Sequence, residues 1–165
     1  MTDEALKQRN DEQLATCWPA FANKIRAVIS DMAGHGYRCR IQQSWRSPQE
    51  QLEAFNSGHS KLRFGFHNCT GPNGEKQALA VDLLDDDRPN EETMKYSLML
   101  YSSAHSHGLT TGALYGLSPK MKQAFVNAAL GKDWDNQKVK RGWDESHVDC
   151  GNQITPAYAK AGARI

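Results

Sequence analysis

Seven residues, Ala78-Leu-Ala-Val-Asp-Leu-Leu84, form an apolar run broken by a single acid, Asp82. An apolar run of this length reads as a buried strand. A carboxylate inside it loses hydration and needs a metal ion or a cation beside it. The alternative is an aspartate at a strand end, exposed or paired with an arginine. On a strand, Ala80, Asp82 and Leu84 share one face, and the small Ala80 leaves room next to the acid.

Around this run, helices and strands alternate without a βαβ rhythm. Leu14, Trp18, Phe21, Ile25, Val28, Ile29 and Met32 recur at helical steps, which predicts one amphipathic helix over 14–33, ended by Gly34 and Gly36. Residues 38–45 carry a modest strand signal. Ser47-Pro48-Gln49-Glu50 has the N-cap, first-turn proline and acid of a helix start. Residues 68–77 are loop-forming by composition. Helices are expected over 91–107 and from Pro119 to about Leu130, turn and strand over 108–116, and a last strand over 146–150. The expected fold is α+β: a single domain with a small antiparallel sheet flanked by helices. Residues 1–13 are polar and are expected to form an arm, or the start of a helix, ahead of a domain spanning 14–165.

The chain has 165 residues, 20 Lys+Arg and 19 Asp+Glu. So even a balance lacks the broad basic field of a nucleic-acid binder, and no nucleic-acid partner is expected. No window is apolar enough to span a membrane, and the N-terminal segment lacks the apolar core of a signal peptide. Synthesis into a cytoplasm, without membrane insertion and as a monomer, is the expectation. The four cysteines, Cys17, Cys39, Cys69 and Cys150, form no CxxC pair and are expected to be free thiols.

Two histidines stand near the acid-bearing strand or on one of their own. His147 lies in Trp143-Asp-Glu-Ser-His-Val-Asp149, with Asp144 three residues ahead. Such an acid can stand beside a metal without binding it and take a proton from water. A surface DxxH pair is the plainer reading of the same residues. His67 precedes the polar loop and can swing onto the site of Asp82. A His, Asp, His set leaves a tetrahedral zinc one open position, the catalytic pattern. His35, His59, His105 and His107 lie near element ends, where histidines usually cap or hydrogen-bond.

These blocks resemble the M15 group of zinc peptidases, which includes D-Ala-D-Ala carboxypeptidases, VanX- and VanY-type enzymes and phage L-alanyl-D-glutamate endolysins. Ser44-Trp-Arg-Ser-Pro-Gln-Glu-Gln51 is similar to the family's G-Y-R-S-x-x-x-Q segment. His67 with Ala78-Leu-Ala-Val-Asp82 is similar to S-x-H-x-x-G-x-A-x-D, and Trp143-Asp-Glu-Ser-His-Val148 to D/E-x-x-H. The resemblance implies a hedgehog/DD-peptidase-like fold, Zn2+ held by His67, Asp82 and His147, and Asp144 as general base. It also implies Arg46 as the group that holds the substrate carbonyl or its oxyanion, with Ser44 as a substrate contact. There are three departures. Fourteen residues separate His67 from Asp82 where the family usually has six, Gly65 replaces a serine and Ala78 replaces a glycine. The stretch 68–77 then reads as an inserted loop, and about 117–142 as an inserted helical segment.

The implied activity is hydrolysis of a stem-peptide bond in bacterial peptidoglycan. The L-Ala-D-Glu bond is favoured, cut by an endolysin held in the host cytoplasm until it reaches the wall. A D-Ala-D-Ala carboxypeptidase or dipeptidase is the enzyme alternative. An alternative of another class is a non-catalytic module, in which His67, Cys69, His147 and Cys150 close a structural Cys2His2 zinc site.

Overall fold

The computed structural model describes residues 1–91 and 93–165. Helices α1 (Asp3–Leu14) and α2 (Pro19–Gly34) lead into strand β1 (Cys39–Gln43) and helix α3 (Pro48–Asn56). A 3-10 turn (Phe66–Asn68), strand β2 (Ala80–Asp85) and helix α4 (Met94–Ser106) follow. Strand β3 (Thr110–Gly112), helix α5 (Pro119–Leu130), strand β4 (Asp144–Asp149) and the short helix α6 (Pro156–Lys160) complete the chain. The four strands form one antiparallel sheet in the order β1-β2-β4-β3. The expected α+β class, with a small antiparallel sheet flanked by helices, is the class observed.

Strand alternation divides the sheet into an oily face and a chemical face. Val81, Leu83 and Val148 are fully buried with Phe21, Ile25, Val28 and Met32 of α2 and Leu100 and Ala104 of α4. Asp82 and His147 lie on the other face, directly opposite each other across the β2–β4 ladder, as do Ala80 and Asp149. Helix α5, in the expected insertion, packs through Phe125, Ala128 and Ala129 on Leu98 and Tyr101 of α4.

The single helix expected over 14–33 is two helices. Trp18-Pro19 breaks it: Pro19 is the first helical residue of α2, and Cys17 pairs with Ala78 in an isolated bridge. Residues 1–13, expected as an arm or the start of a helix, enter helix α1, capped by Thr2, with Leu6, Asn10 and Leu14 buried one turn apart. It covers β1, an edge strand. Asn10 donates to the Cys39 carbonyl (2.9 Å) and accepts from Ile41 N–H (2.8 Å), and Arg9 donates to the Ile41 carbonyl (3.1 Å). A helix here satisfies edge groups that would otherwise offer a template for another strand. At α3, the capping box of Ser47 and Glu50 is present as its sequence signature implies.

Candidate metal centre and active-site cleft

His67 is placed by the turn that contains it. Arg46 N–H donates to the His67 carbonyl (2.9 Å), Asn68 Nδ2 donates to the Arg46 carbonyl (2.8 Å), and Leu79 N–H donates to the Phe66 carbonyl (2.9 Å). The turn is thus clasped between the segment after β1 and the entry to β2. The long spacing to Asp82 is absorbed outside this clasp. Gln77 N–H donates to the Cys69 carbonyl (3.0 Å) and Thr70 pairs with Lys76, so the extra residues loop out from a closed base.

Three donor atoms converge. His67 Nε2 and His147 Nδ1 are 3.2 Å apart, His147 Nδ1 and Asp82 Oδ1 3.2 Å, and His67 Nε2 and Asp82 Oδ1 3.5 Å. Zinc ligands lie ~2.0–2.1 Å from the ion, so neighbouring vertices of a tetrahedron are about 3.3–3.4 Å apart. The three separations match one face of that tetrahedron. His67, Asp82 and His147 line a cleft of about 530 Å³ together with Arg46, Lys61, Tyr115, Trp143 and Asp144. Among the described residues, His67, Asp82 and His147 form the one cluster with metal-ligand spacing. Cys69 and Cys150 lie outside it, buried, with their thiols pushed up to about 11 and about 12 by burial. The Cys2His2 set of the alternative reading is not brought together as a metal-ligand cluster among the described residues.

Asp144 stands beside the cluster, its Oδ2 4.0 Å from His147 Nδ1. On a flat strand, residues three apart face opposite ways. Here the register shifts: Thr111 pairs with Val148 but the adjacent Gly112 pairs with Asp144. The irregularity brings Asp144 round to the cleft. It requires Gly112, because a Cβ there would meet the Asp144 carbonyl oxygen at 2.1 Å. Strand β4 therefore begins at Asp144, earlier than the expected residue 146. Its neighbour Glu145 is buried on the other side and paired with Arg141 (3.0 Å).

The two carboxylates are pushed in opposite directions. At Asp82, burial favours the neutral acid, but the adjacent His67 and His147 outweigh it and hold the pKa far below the ordinary range. At Asp144, burial dominates and raises the pKa. Such a split keeps Asp82 ionised and leaves Asp144 suited to exchanging protons.

Arg46 lines the cleft. Its Nη1 donates to Gln51 Oε1 (2.9 Å) and its Nε to Gln43 Oε1 (3.0 Å). Gln51 is itself buried and anchored to Ser60 (2.8 Å). No ion pair to Arg46 occurs among the described residues; neutral amides aim the guanidinium. Ser44 departs from expectation. Its hydroxyl is buried against Gln13 (2.8 Å) and Thr16 (2.6 Å) rather than facing the cleft, and only its carbonyl reaches the site, facing His67 Nδ1. Of the remaining histidines, His59 lines the cleft and pairs with Ser57 (2.8 Å), His107 pairs with Asp31 (2.8 Å), and His35 and His105 contact Trp134 and Tyr101.

Sequence reasoning missed Asp149 and Tyr115. Asp149 Oδ2 lies 2.9 Å from His147 Nε2 and accepts a hydrogen bond from the Tyr115 hydroxyl. Burial, then the Asp149 charge, raises the Tyr115 pKa, so the phenol stays protonated. Asp149 carries a legible signal: two residues beyond His147 on a strand, it shares the histidine's face. Tyr115 carries none, because it arrives from the β3–α5 connection.

Fold and site together define an α+β protein with a His–Asp–His cluster, spaced so that it could hold a metal ion, in the wall of a cleft. No family model matches the sequence, and no curated protein matches it significantly. Among solved structures, the chain is similar to the Serratia marcescens L-Ala D-Glu endopeptidase ChiX. The TM-score is 0.49 and the identity 16%, covering 86% of this chain and 85% of that one.

Proposed function

We propose that the protein is a zinc-dependent peptidase that hydrolyses a stem-peptide bond of bacterial peptidoglycan, with the L-Ala-D-Glu bond favoured, in the manner of a phage endolysin. The observation that carries the reading is the convergence of His67, Asp82 and His147 at tetrahedral spacing in the wall of a cleft that also holds Asp144 and Arg46. The resemblance of these same residues to the M15 blocks supplies the substrate class.

Zinc, when bound, supplies Lewis acidity and brings the pKa of water towards about 7. Asp144 accepts the proton of the attacking water and returns it to the leaving amine. Arg46, fixed by Gln43 and Gln51, meets the negative charge that develops on the carbonyl oxygen; such a donor is effective because it needs no reorganisation during the reaction.

Digestion of purified peptidoglycan, followed by mass spectrometry of the released peptides, tests the reading. New N-terminal D-Glu is the expected product, and zinc measured on the purified protein should be stoichiometric. Release of terminal D-Ala would move the assignment to a D-Ala-D-Ala carboxypeptidase. Intact wall together with absent zinc would refute the proposal.

A further inference from the structure

The hydrogen bonds behind the three donors assign a role to Asp149, on the basis of the zinc reading above. A neutral imidazole carries one proton, and only the other nitrogen can bind a metal. His147 turns Nδ1 to Asp82 and His67, and turns Nε2 to Asp149 Oδ2 at 2.9 Å. Asp149 is 1% exposed, and donors surround it: the Gly151 N–H reaches Oδ1 (2.7 Å) and the Tyr115 hydroxyl reaches Oδ2. A carboxylate so enclosed can only accept, so the proton between it and His147 belongs to Nε2.

The same logic recurs at His67 with the nitrogens exchanged. There Nδ1 faces the Ser44 carbonyl, which also can only accept, and Nε2 points to the cluster. Two obligatory acceptors on different elements thus leave two lone pairs aimed at one point beside the Asp82 carboxylate. We infer that Asp149 is a positioning residue: it holds His147 as the Nε2–H tautomer and keeps Nδ1 free for the metal.

Asp149→Asn tests this with little change of shape. The amide has one oxygen to serve Gly151 N–H, Tyr115 O–H and His147 Nε2–H. The backbone donor of Gly151 is the least able to move and keeps that oxygen. The amide NH2 then faces Nε2 and favours a proton on Nδ1, where it blocks the metal. Zinc affinity, measured on the full chain by competition with a chromogenic chelator, should fall about 10–100-fold. Long-range 1H–15N spectra of the zinc-loaded wild type should show His147 protonated at Nε2 and metal-shifted at Nδ1.

Unchanged zinc affinity in folded Asp149→Asn would overturn the inference. So would a lower unfolding temperature of the metal-free variant with no change in zinc affinity, because that is the mark of a purely structural role. If Asp149→Asn fails to fold, Tyr115→Phe decides. It leaves Asp149 an acceptor only, so zinc binding and the Nε2–H resonance should persist; loss of either overturns the role given to Asp149. A wild type that takes up no zinc would overturn the zinc reading itself, an outcome separate from these.

Discussion

Asp144→Asn separates the chemistry from the metal. The substitution keeps the size of the side chain and removes its ability to accept a proton at neutral pH. Asp144 stands 4.0 Å from His147 Nδ1, outside the cluster of ligand atoms, so zinc should stay stoichiometric. General-base contributions are typically about 10²–10⁴-fold, which is about 2.7–5.4 kcal/mol of barrier at 1.36 kcal/mol per tenfold. Loss of kcat in that range, with little change in KM, is expected in a peptidoglycan turbidity assay. Stability should move the other way. The folded-state pKa of Asp144 is raised, chiefly by burial, so the ionised acid is disfavoured by folding. A raised carboxylate pKa withdraws stability as pH rises through it. Metal-free Asp144→Asn should therefore unfold at the same temperature as wild type or higher at neutral pH. Glu145→Gln is the control with the opposite signature: it weakens the buried pair with Arg141 and lowers the unfolding temperature while kcat holds. An Asp144→Asn enzyme with wild-type kcat, or one that has lost its zinc, would refute the assignment of Asp144 as base.

Gly112→Ala should leave zinc bound and lower kcat at least tenfold, since the new Cβ collides with the Asp144 carbonyl 2.1 Å away and displaces the base; zinc content and kcat measured together check this. The double variant Cys69→Ala, Cys150→Ala should keep its zinc and its kcat while losing about 1–3 kcal/mol of stability through the buried volume removed, read by denaturant unfolding. Replacing residues 71–75 with a two-residue Asn-Gly turn between the bridge partners Thr70 and Lys76 should preserve stoichiometric zinc. Zinc loss from that folded variant would show that the loop helps hold His67.

What could be read from the chain without its fold was local. The start of α3 is encoded by Ser47, Pro48 and Glu50 within one turn, because capping joins side chains to backbone groups three residues away. Asp82 announced itself by desolvation: a lone acid in an apolar strand demands a partner wherever that strand lies. The motif resemblance pointed to His67, His147, Asp144 and Arg46 as its companions. Tertiary structure decided the relations between segments. The β2–β4 register sets Asp82 opposite His147 across sixty-five positions of sequence, and only pairing between distant strands can do that. Asp144 reaches the cleft through a register shift that depends on the bare backbone of Gly112, a contact invisible to strand alternation. The polar N-terminal segment is a helix because β1 has an edge to cover, and Asn10 matches that edge. Ser44 contributes its carbonyl rather than its hydroxyl because Gln13 and Thr16 hold the side chain, while the backbone faces His67. Propensity and periodicity act over a few residues; the hydrogen bonds that orient the site close over tens of residues, so their partners exist only once the chain has folded.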